Sequence, residues 1–211
     1  MDKKEIAYGI LAGISSVPGG IYNGIKRTWQ GSGLSGSDLK SRNQIETERF
    51  FKLVKSLGNK EEPVRRLITT VMLDFYERLD ESTRSAINDK IGYGLGRLAG
   101  KTGAQFMFAH TVTTTMIRHA ASTYAWRKFI HFGTSFSLNI LMIQGLIEEA
   151  ALASRRMQYK YRMTYDKVSR NNLDMVYFLV EPQLEPYLEY LNVHNIICKG
   201  VQSEICKILG S

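Results

Sequence analysis

The sequence predicts an all-α protein, a helical bundle of about six to eight helices around a central apolar helical hairpin. Several stretches place apolar residues at helical spacing, and none shows the strict alternation that is typical of a half-buried strand. The composition agrees, since 211 residues with 44% hydrophobic and 23% charged side chains are ordinary for a globular chain. A chain of this length buries a core without disulfides or metals.

The composition also divides the chain into three parts. Residues 1–30 form a glycine-rich, apolar N-terminal arm, in which VPGG at 17–20 predicts a kink or a break. Residues 31–44 begin with GSGLSGSD and have the composition of a linker. Residues 45–211 are predicted to form a single all-α domain, with the hydrophobic hairpin at 91–147.

Within this domain the elements follow in order. An amphipathic helix is predicted at 45–57, and a second runs from about Pro63 to Leu79, with the proline suited to its first turn. The polar stretch DESTRSAINDK supplies helix caps and leads into the hairpin. Past Glu148 we expect a charged helix, then helices at about 172–192, broken by Pro182 and Pro186, and at about 194–209.

The stretch GYGLGRLAG at 92–100 raises the question of why a helix would contain so many glycines. A phosphate-binding loop is disfavoured, because a P-loop needs glycine at position 95, where the chain has leucine, and because the lead-in is polar. A row of small residues on one helix face instead permits close helix packing. The predicted packing residues are Gly92, Gly96, Gly100 and Ala104, with the same spacing repeated in the arm at Gly9, Gly13, Gly20 and Gly24.

No acidic residue occurs between Asp89 and Glu148, whereas this stretch contains several lysines and arginines. Residues 102–117 and 129–147 carry no formal charge, and as a helix the second would span about 28 Å, close to the thickness of a bilayer core. The residues predicted to lie at a membrane interface are Arg118, Tyr124, Trp126, Arg127 and Lys128. Those that would line a pore are His110, Thr111, Thr114, Ser137, Asn139 and Gln144. The alternative is that the same hairpin is the buried centre of a soluble all-α core.

The sequence contains no pattern that specifies an enzyme. The four histidines lack metal-ligand spacing and no nucleophile elbow is present, so we expect no catalytic residue, no cofactor and no metal. The net charge of +8 favours a polyanionic partner, which we take to be anionic membrane lipid rather than nucleic acid. A basic nuclease-type toxin is the alternative that keeps a nucleic-acid substrate.

The glycine row and the two uncharged segments through Ile147 resemble small glycine-rich pore-forming effectors of bacterial competition, including those delivered by type VI secretion. They resemble the hydrophobic hairpin of pore-forming colicins more distantly. The resemblance implies an antibacterial toxin, made in the cytoplasm and secreted to the inner membrane of a target cell, which it depolarises. The implied partners are a cognate membrane immunity protein, a component of the secretion apparatus and further copies of the chain in the membrane. A soluble all-α interaction or scaffold protein, whose glycine row packs a core helix, is the alternative.

Overall fold

The computed structural model describes residues 19–33, 36–55, 61–90, 100–131 and 140–193, and all regular structure in these ranges is helical. The predicted all-α class is confirmed. The α-helices in chain order are α1 (Gly19–Gly31), α2 (Ser37–Lys55), α3 (Glu62–Arg78), α4 (Glu81–Lys90), α5 (Gly100–Ala121), α6 (Tyr124–His131), α7 (Ile140–Lys160), α8 (Arg162–Val168) and α9 (Glu181–Val193). Two 3₁₀ segments, η1 (Ser169–Asn171) and η2 (Leu173–Leu179), lie between α8 and α9.

Helix α3 lies at the centre of the apolar core and follows the sequence prediction closely. Its buried side chains recur every three to four residues, and Pro63 lies in its first turn, where a missing N–H costs nothing. Phe75 stacks on Phe108 of α5 with ring centroids 6.2 Å apart and meets the ring edges of Tyr187 and Tyr190 of α9. This aromatic group joins α3, α5 and α9 into one apolar half of the bundle.

The other half of the bundle is built around α7. Helix α1 packs along α7 and α2, and η2 packs between α7 and α3. Six of the seven residues of η2 are buried, which makes it an unusually long 3₁₀ segment inside a core. In a 3₁₀ helix every third side chain points in the same direction, so the side chains form three rows around the axis. The rows of η2 therefore place apolar atoms against both α3 and α7.

The helices of the N-terminal region do not follow the division into an arm and a linker that the composition predicts. Helix α2 begins at Ser37, inside the stretch 31–44 that has linker composition, and α1 lies against α7 as part of the bundle. Gly33 and Gly36 have positive φ values of 84° and 113°, so glycines here turn the chain from α1 into α2. The glycine and serine content reflects a tight interhelical turn rather than a long linker. The arm residues 1–18 lie outside the described residues.

The helix boundaries in the hairpin region do not coincide with the bounds of the two uncharged segments. Helix α5 contains the whole of the first segment, 102–117, and extends to Ala121. The second segment, 129–147, ends α6 and begins α7, which continues without a break past Glu148 to Lys160. The uncharged stretch and the charged stretch therefore share one helix, because helical spacing is continuous across Ile147 and Glu148.

The predicted segment at about 172–192 is broken just before Pro182, because η2 ends at Leu179 and α9 begins at Glu181, but the predicted break at Pro186 is wrong. Pro182 lies in the first turn of α9, where its N–H is not needed, and Pro186 lies inside the helix. Pro186 is exposed, whereas Leu184, Leu188 and Leu191 are buried. Packing of this apolar face holds the helix in spite of the one backbone hydrogen bond that Pro186 cannot donate.

Asp80 caps the start of α4, in the polar stretch where the sequence predicts a cap. Hydrogen bonds from the Ser82 hydroxyl at 2.5 Å and the Thr83 backbone N–H at 2.9 Å hold the pKa of Asp80 well below its usual range. A pKa that is lower in the folded state stabilises the fold above the unfolded pKa of about 3.9, and this stabilisation disappears as the pH falls through the folded pKa.

We therefore expect Asp80→Ala to lower the free energy of unfolding by about 1 kcal/mol at neutral pH. The difference from wild type should shrink as the pH is lowered from about 5 towards 2, since the wild type then loses the ionised cap. Urea denaturation of both proteins across this range measures it, with Asp80→Ser as the control that keeps an uncharged cap. A loss of the same size at every pH would contradict the assignment.

Candidate functional site

A cluster of four charged residues, three of them buried and one half-buried, joins α1, α2 and α7. Arg27 is 1% exposed, and its Nη1 lies 2.7 Å from Glu148 Oε2 and 3.1 Å from Glu46 Oε2. Arg155 contacts the other oxygen of each carboxylate, at 3.0 Å for Glu148. We call Arg27, Glu46, Glu148 and Arg155 the Arg27 cluster. Its two positive and two negative charges cancel, which is the condition under which ions are tolerated in a core.

The remaining hydrogen bonds of Arg27 fix α1 against α2. Arg27 Nη2 donates to the Asn43 carbonyl oxygen at 2.7 Å and to Thr47 Oγ1 at 2.9 Å. Of the five N–H donors of a guanidinium, four are therefore satisfied, and Nε–H has no partner among the described residues. The cluster fixes the orientation of α1 in the bundle, because the planar guanidinium group donates hydrogen bonds only to partners that lie in its own plane.

A second buried carboxylate, Asp174 of η2, is held by side chains from α2 and α7. Asp174 is 0% exposed, and it accepts hydrogen bonds from Arg49 at 2.6 Å and from the Ser154 hydroxyl at 2.5 Å. Asn172, at a positive φ of 57°, accepts from Arg49 Nε at 3.1 Å. This pair holds the start of η2 against α2 and α7.

The acidic face of α9 is paired with the basic side of α7. Arg156 Nε donates to Glu181 at 2.7 Å, and Lys160 lies 2.9 Å from Glu185. The hydrogen bond from Lys160 lowers the pKa of Glu185, and burial raises the pKa of Tyr161 to about 12. The four charged groups form ion pairs on the surface of the bundle, and the buried Tyr161 lies beside one of them, Glu185.

Helix α5 is held in the bundle by other means. It packs through Phe108, Val112 and neighbouring apolar residues, and its described side chains hydrogen-bond to α3 at two positions, Gln105 and Thr113. None of the described side chains at 102–121 forms an ion pair. Helix α5 is therefore attached to the core by apolar packing and by a few hydrogen bonds, one of which has a charged acceptor, the Glu77 carboxylate.

The outer face of α5 is exposed and uncharged over most of its length. Phe106 is 57% exposed and Met107 is 43% exposed, and they are followed on the same face by His110, Thr111 and, at the basic end, Arg118. We call these five residues the α5 outer face. An exposed phenylalanine beside an exposed methionine on a charge-free helix face is typical of a binding surface.

Helix α6 carries the other four residues predicted to lie at a membrane interface, of which two are exposed and two pack against the protein. Tyr124 is 64% exposed and Arg127 is exposed, whereas Lys128 lies over the Tyr124 ring at 4.7 Å and pairs with Glu149 at 3.7 Å. Trp126 departs from the expectation of an interfacial residue, because its indole is only 4% exposed and belongs to the core. Its spacing along α6 turns it inward beside Phe129.

The glycine row is described only in part. Gly100 is the first residue of α5 and Ala104 is buried in the core, while Gly20 and Gly24 lie in α1, where Gly24 is buried. Gly9, Gly13, Gly92 and Gly96 lie outside the described residues. Of the residues expected to line a pore, His110 and Thr111 are exposed, Thr114 is half-buried on α5, and Gln144 is half-buried on α7. Ser137 and Asn139 lie outside the described residues.

Sequence reasoning missed the Arg27 cluster. The available signal was that Lys26 and Arg27 are the only charged residues between Glu5 and Asp38, so that a charge in this apolar stretch needs a partner elsewhere. The identity of the partners was not readable, because Glu46 and Glu148 lie 19 and 121 residues further along the chain.

Within the described ranges, no three His, Cys, Asp or Glu side chains are grouped so as to hold a metal ion. In the same ranges no helix combines the length and apolarity required to span a membrane. Comparison of the chain with protein-family models, with curated proteins and with solved structures finds no match.

Proposed function

We propose that this chain is a pore-forming toxin that acts on an anionic bilayer. In this proposal the α5 outer face and the exposed part of α6 dock first on the membrane surface, and α5 then separates from α3 and enters the lipid. The observation that carries the proposal is the way α5 is held: an apolar helix with an exposed apolar outer face, tied to the core by no ion pair of its described side chains.

Moving α5 from the bundle into lipid exchanges one apolar surrounding for another at its buried apolar side chains. Its buried apolar side chains, Ala104, Phe108, Ala109, Val112, Met116, Ile117 and Ala120, pack in an apolar core and would pack in lipid tails, which are about as apolar as leucine. The buried Thr113 gives up its hydrogen bond with Thr69 in this movement. Thr115 already donates its hydroxyl to the Thr111 carbonyl of the same helix at 3.1 Å, so it carries a satisfied hydrogen bond with it. By contrast, moving α7 would separate the Arg27 cluster and leave charges buried without partners.

Charge supports an anionic surface as the target. The stretch from Lys90 to Ile147 contains six lysines and arginines and no acidic residue, and two of them, Arg118 near the end of α5 and Arg127 on α6, are exposed. A lysine or arginine near an anionic bilayer contributes about 1 kcal/mol to binding. Tyr124 beside them is of the type that favours the interface between lipid and water.

The biological setting comes from the resemblance to secreted bacterial effectors. In this setting the protein is made in the cytoplasm of a producing cell, and a secretion apparatus delivers it to the inner membrane of a competitor. A membrane immunity protein neutralises it in the producing cell. Several copies would assemble through the glycine row, with the polar side chains of α5 facing a common path.

Replacing both apolar anchors, Phe106→Ser with Met107→Ser, is expected to lower affinity for phosphatidylglycerol vesicles about thirtyfold. Each exposed side chain that enters lipid contributes on the order of 1 kcal/mol, and neither is needed to fill the core. Vesicle co-sedimentation and dye release measure binding and leakage. The matched control is Tyr159→Ser with Met163→Ser, which removes two side chains that are 91% and 66% exposed on α7 and α8.

Wild-type protein at micromolar concentration should release dye from phosphatidylglycerol vesicles and not from phosphatidylcholine vesicles. The control pair should behave as wild type. Absence of leakage from anionic vesicles, or equal loss in both double variants, would contradict the proposal.

The second candidate is a soluble all-α interaction protein. It is favoured by the position of Ala104, 3% exposed in the core, and by the finding that no helix in the described ranges is suited to span a membrane. In that case the α5 outer face docks a protein partner, and Phe106→Ser with Met107→Ser abolishes that complex while vesicles never leak. Dye release by the wild type separates the two functions.

A further inference from the structure

One face of α6 carries a tyrosine followed by two cations one helical turn away. Arg127 and Lys128 come three and four residues after Tyr124, so the three side chains are neighbours on the helix surface. Tyr124 and Arg127 are exposed, and the Lys128 side chain is 16% exposed. We call these three residues the Tyr124 site. Arginine and lysine bind phosphate groups, and tyrosine favours the interface between lipid and water.

Both cations of the Tyr124 site have N–H donors that are not hydrogen-bonded within the described part of the chain. The exposed Arg127 side chain forms no ion pair there. Lys128 Nζ lies 3.7 Å from Glu149 Oε1, which makes an ion pair but exceeds the length of a hydrogen bond. The Tyr124 ring, whose centroid is 4.7 Å from Nζ, helps to hold the ammonium group in place.

Glu149 of α7 is the anion that faces this site from inside the protein. Its side chain is 28% exposed, so the ion pair with Lys128 is partly solvated and contributes little to stability. A carboxylate and a phosphodiester each spread one negative charge over two oxygens, and both pair with the same cationic side chains. Glu149 therefore occupies Lys128 in the way that a phosphodiester would.

A phosphodiester gains contacts at this site that Glu149 does not make. It can accept hydrogen bonds from the free N–H donors of Lys128 and from the neighbouring Arg127. The exposed Tyr124 ring beside them favours a phosphodiester that belongs to a lipid, because the ring is itself stabilised at the membrane interface. Against these gains stands the loss of the Glu149 ion pair.

We propose that the Tyr124 site binds the phosphodiester of an anionic lipid headgroup, and that Glu149 competes with the lipid for Lys128. This proposal rests on the docking step of the proposed function and deepens it. Lys128 exchanges Glu149 for a headgroup when the protein reaches the bilayer. Glu149 thereby sets how much anionic lipid a membrane must contain before the protein docks.

Co-sedimentation of the full chain with mixed phosphatidylglycerol and phosphatidylcholine vesicles tests the competition. Glu149→Gln removes the competing charge at nearly constant size and should tighten binding about fivefold, the contribution of one cation near an anionic surface. The matched control is Glu189→Gln, which makes the same change of net charge at an exposed position of α9 and should tighten binding less than about twofold. Thermal unfolding of both variants shows whether the fold is kept.

Lys128→Gln tests whether Glu149 acts through Lys128. In the Lys128→Gln background, Glu149→Gln should tighten binding no more than Glu189→Gln does, because no lysine is left to be released. Equal tightening by Glu149→Gln and Glu189→Gln in the wild-type background would overturn the competition. So would a full fivefold gain from Glu149→Gln in the Lys128→Gln background.

Glycerophosphoglycerol, the phosphatidylglycerol headgroup without acyl chains, distinguishes a lipid from a free phosphodiester. At the concentration of the vesicle lipid it should displace little protein, and full displacement would overturn the assignment to lipid. Dye release in the same samples separates this proposal from the proposed function. Binding with the expected Glu149→Gln effect but no leakage contradicts pore formation alone, whereas leakage without that effect contradicts the competition alone.

Discussion

Arg27→Met is expected to lower the free energy of unfolding by about 3–5 kcal/mol, the cost of breaking a buried ion pair by removing one partner. The substitution leaves Glu46 and Glu148 buried with Arg155 as their one cationic partner. It also leaves the Asn43 carbonyl and Thr47 hydroxyl without the hydrogen bonds from Nη2. Because a single domain of this size is stable by only about 5–15 kcal/mol, the variant should lose a large fraction of its free energy of unfolding.

Urea denaturation followed by circular dichroism measures this effect. Arg156→Met is the matched control, since the Arg156 side chain is 48% exposed and pairs with Glu181 at the surface, where loss of an ion pair costs about 1 kcal/mol or less. Arg27→Met combined with Glu46→Gln should be more stable than Arg27→Met alone, because one unpaired buried charge is removed. An Arg27→Met variant within about 1 kcal/mol of wild type would show that α1 is not anchored by the Arg27 cluster.

The parts of the fold that the sequence predicts are those held by local pattern. Helix α3 has an uninterrupted apolar stripe and a proline at its start, and it forms where it is expected. Asp80 caps α4 for the same reason, since a cap is read from the next three residues.

The parts that differ are held by contacts distant in sequence. Glycine and serine between α1 and α2 resemble a linker until the buried Arg27 is seen to need Glu46 and Glu148. The 3₁₀ conformation of η2 is imposed by burial against α3 and α7, because no side-chain pattern of seven residues distinguishes it from an α-helix. Pro186 stays helical because three buried leucines outweigh one lost hydrogen bond.

The candidate site also combines features that the sequence predicts with features that depend on contacts distant in sequence. The absence of charge along α5 and the basic ends at Arg118 and Arg127 are readable from the sequence, and both residues are exposed. That Trp126 points inward while Tyr124 points outward depends on where α6 meets the core.

A disulfide between α3 and α5 is expected to abolish leakage without abolishing membrane binding. The hydroxyl oxygens of Thr69 and Thr113 lie 3.3 Å apart, so cysteines at these positions are close enough to be bridged with little movement of the backbone. The variant is Thr69→Cys with Thr113→Cys, in a background where Cys198 and Cys206 are serine. The bridge leaves the α5 outer face free to dock and prevents α5 from separating from α3.

Dye release from phosphatidylglycerol vesicles by this variant, oxidised and then reduced, tests most directly whether α5 leaves the bundle. The single variant Thr69→Cys in the same background controls for the substitutions. We expect the oxidised protein to bind vesicles as wild type does but to release dye at least tenfold more slowly, and we expect reduction to restore the wild-type rate. Leakage at the wild-type rate from the fully oxidised protein would contradict this expectation, because α5 would then act without ever separating from α3.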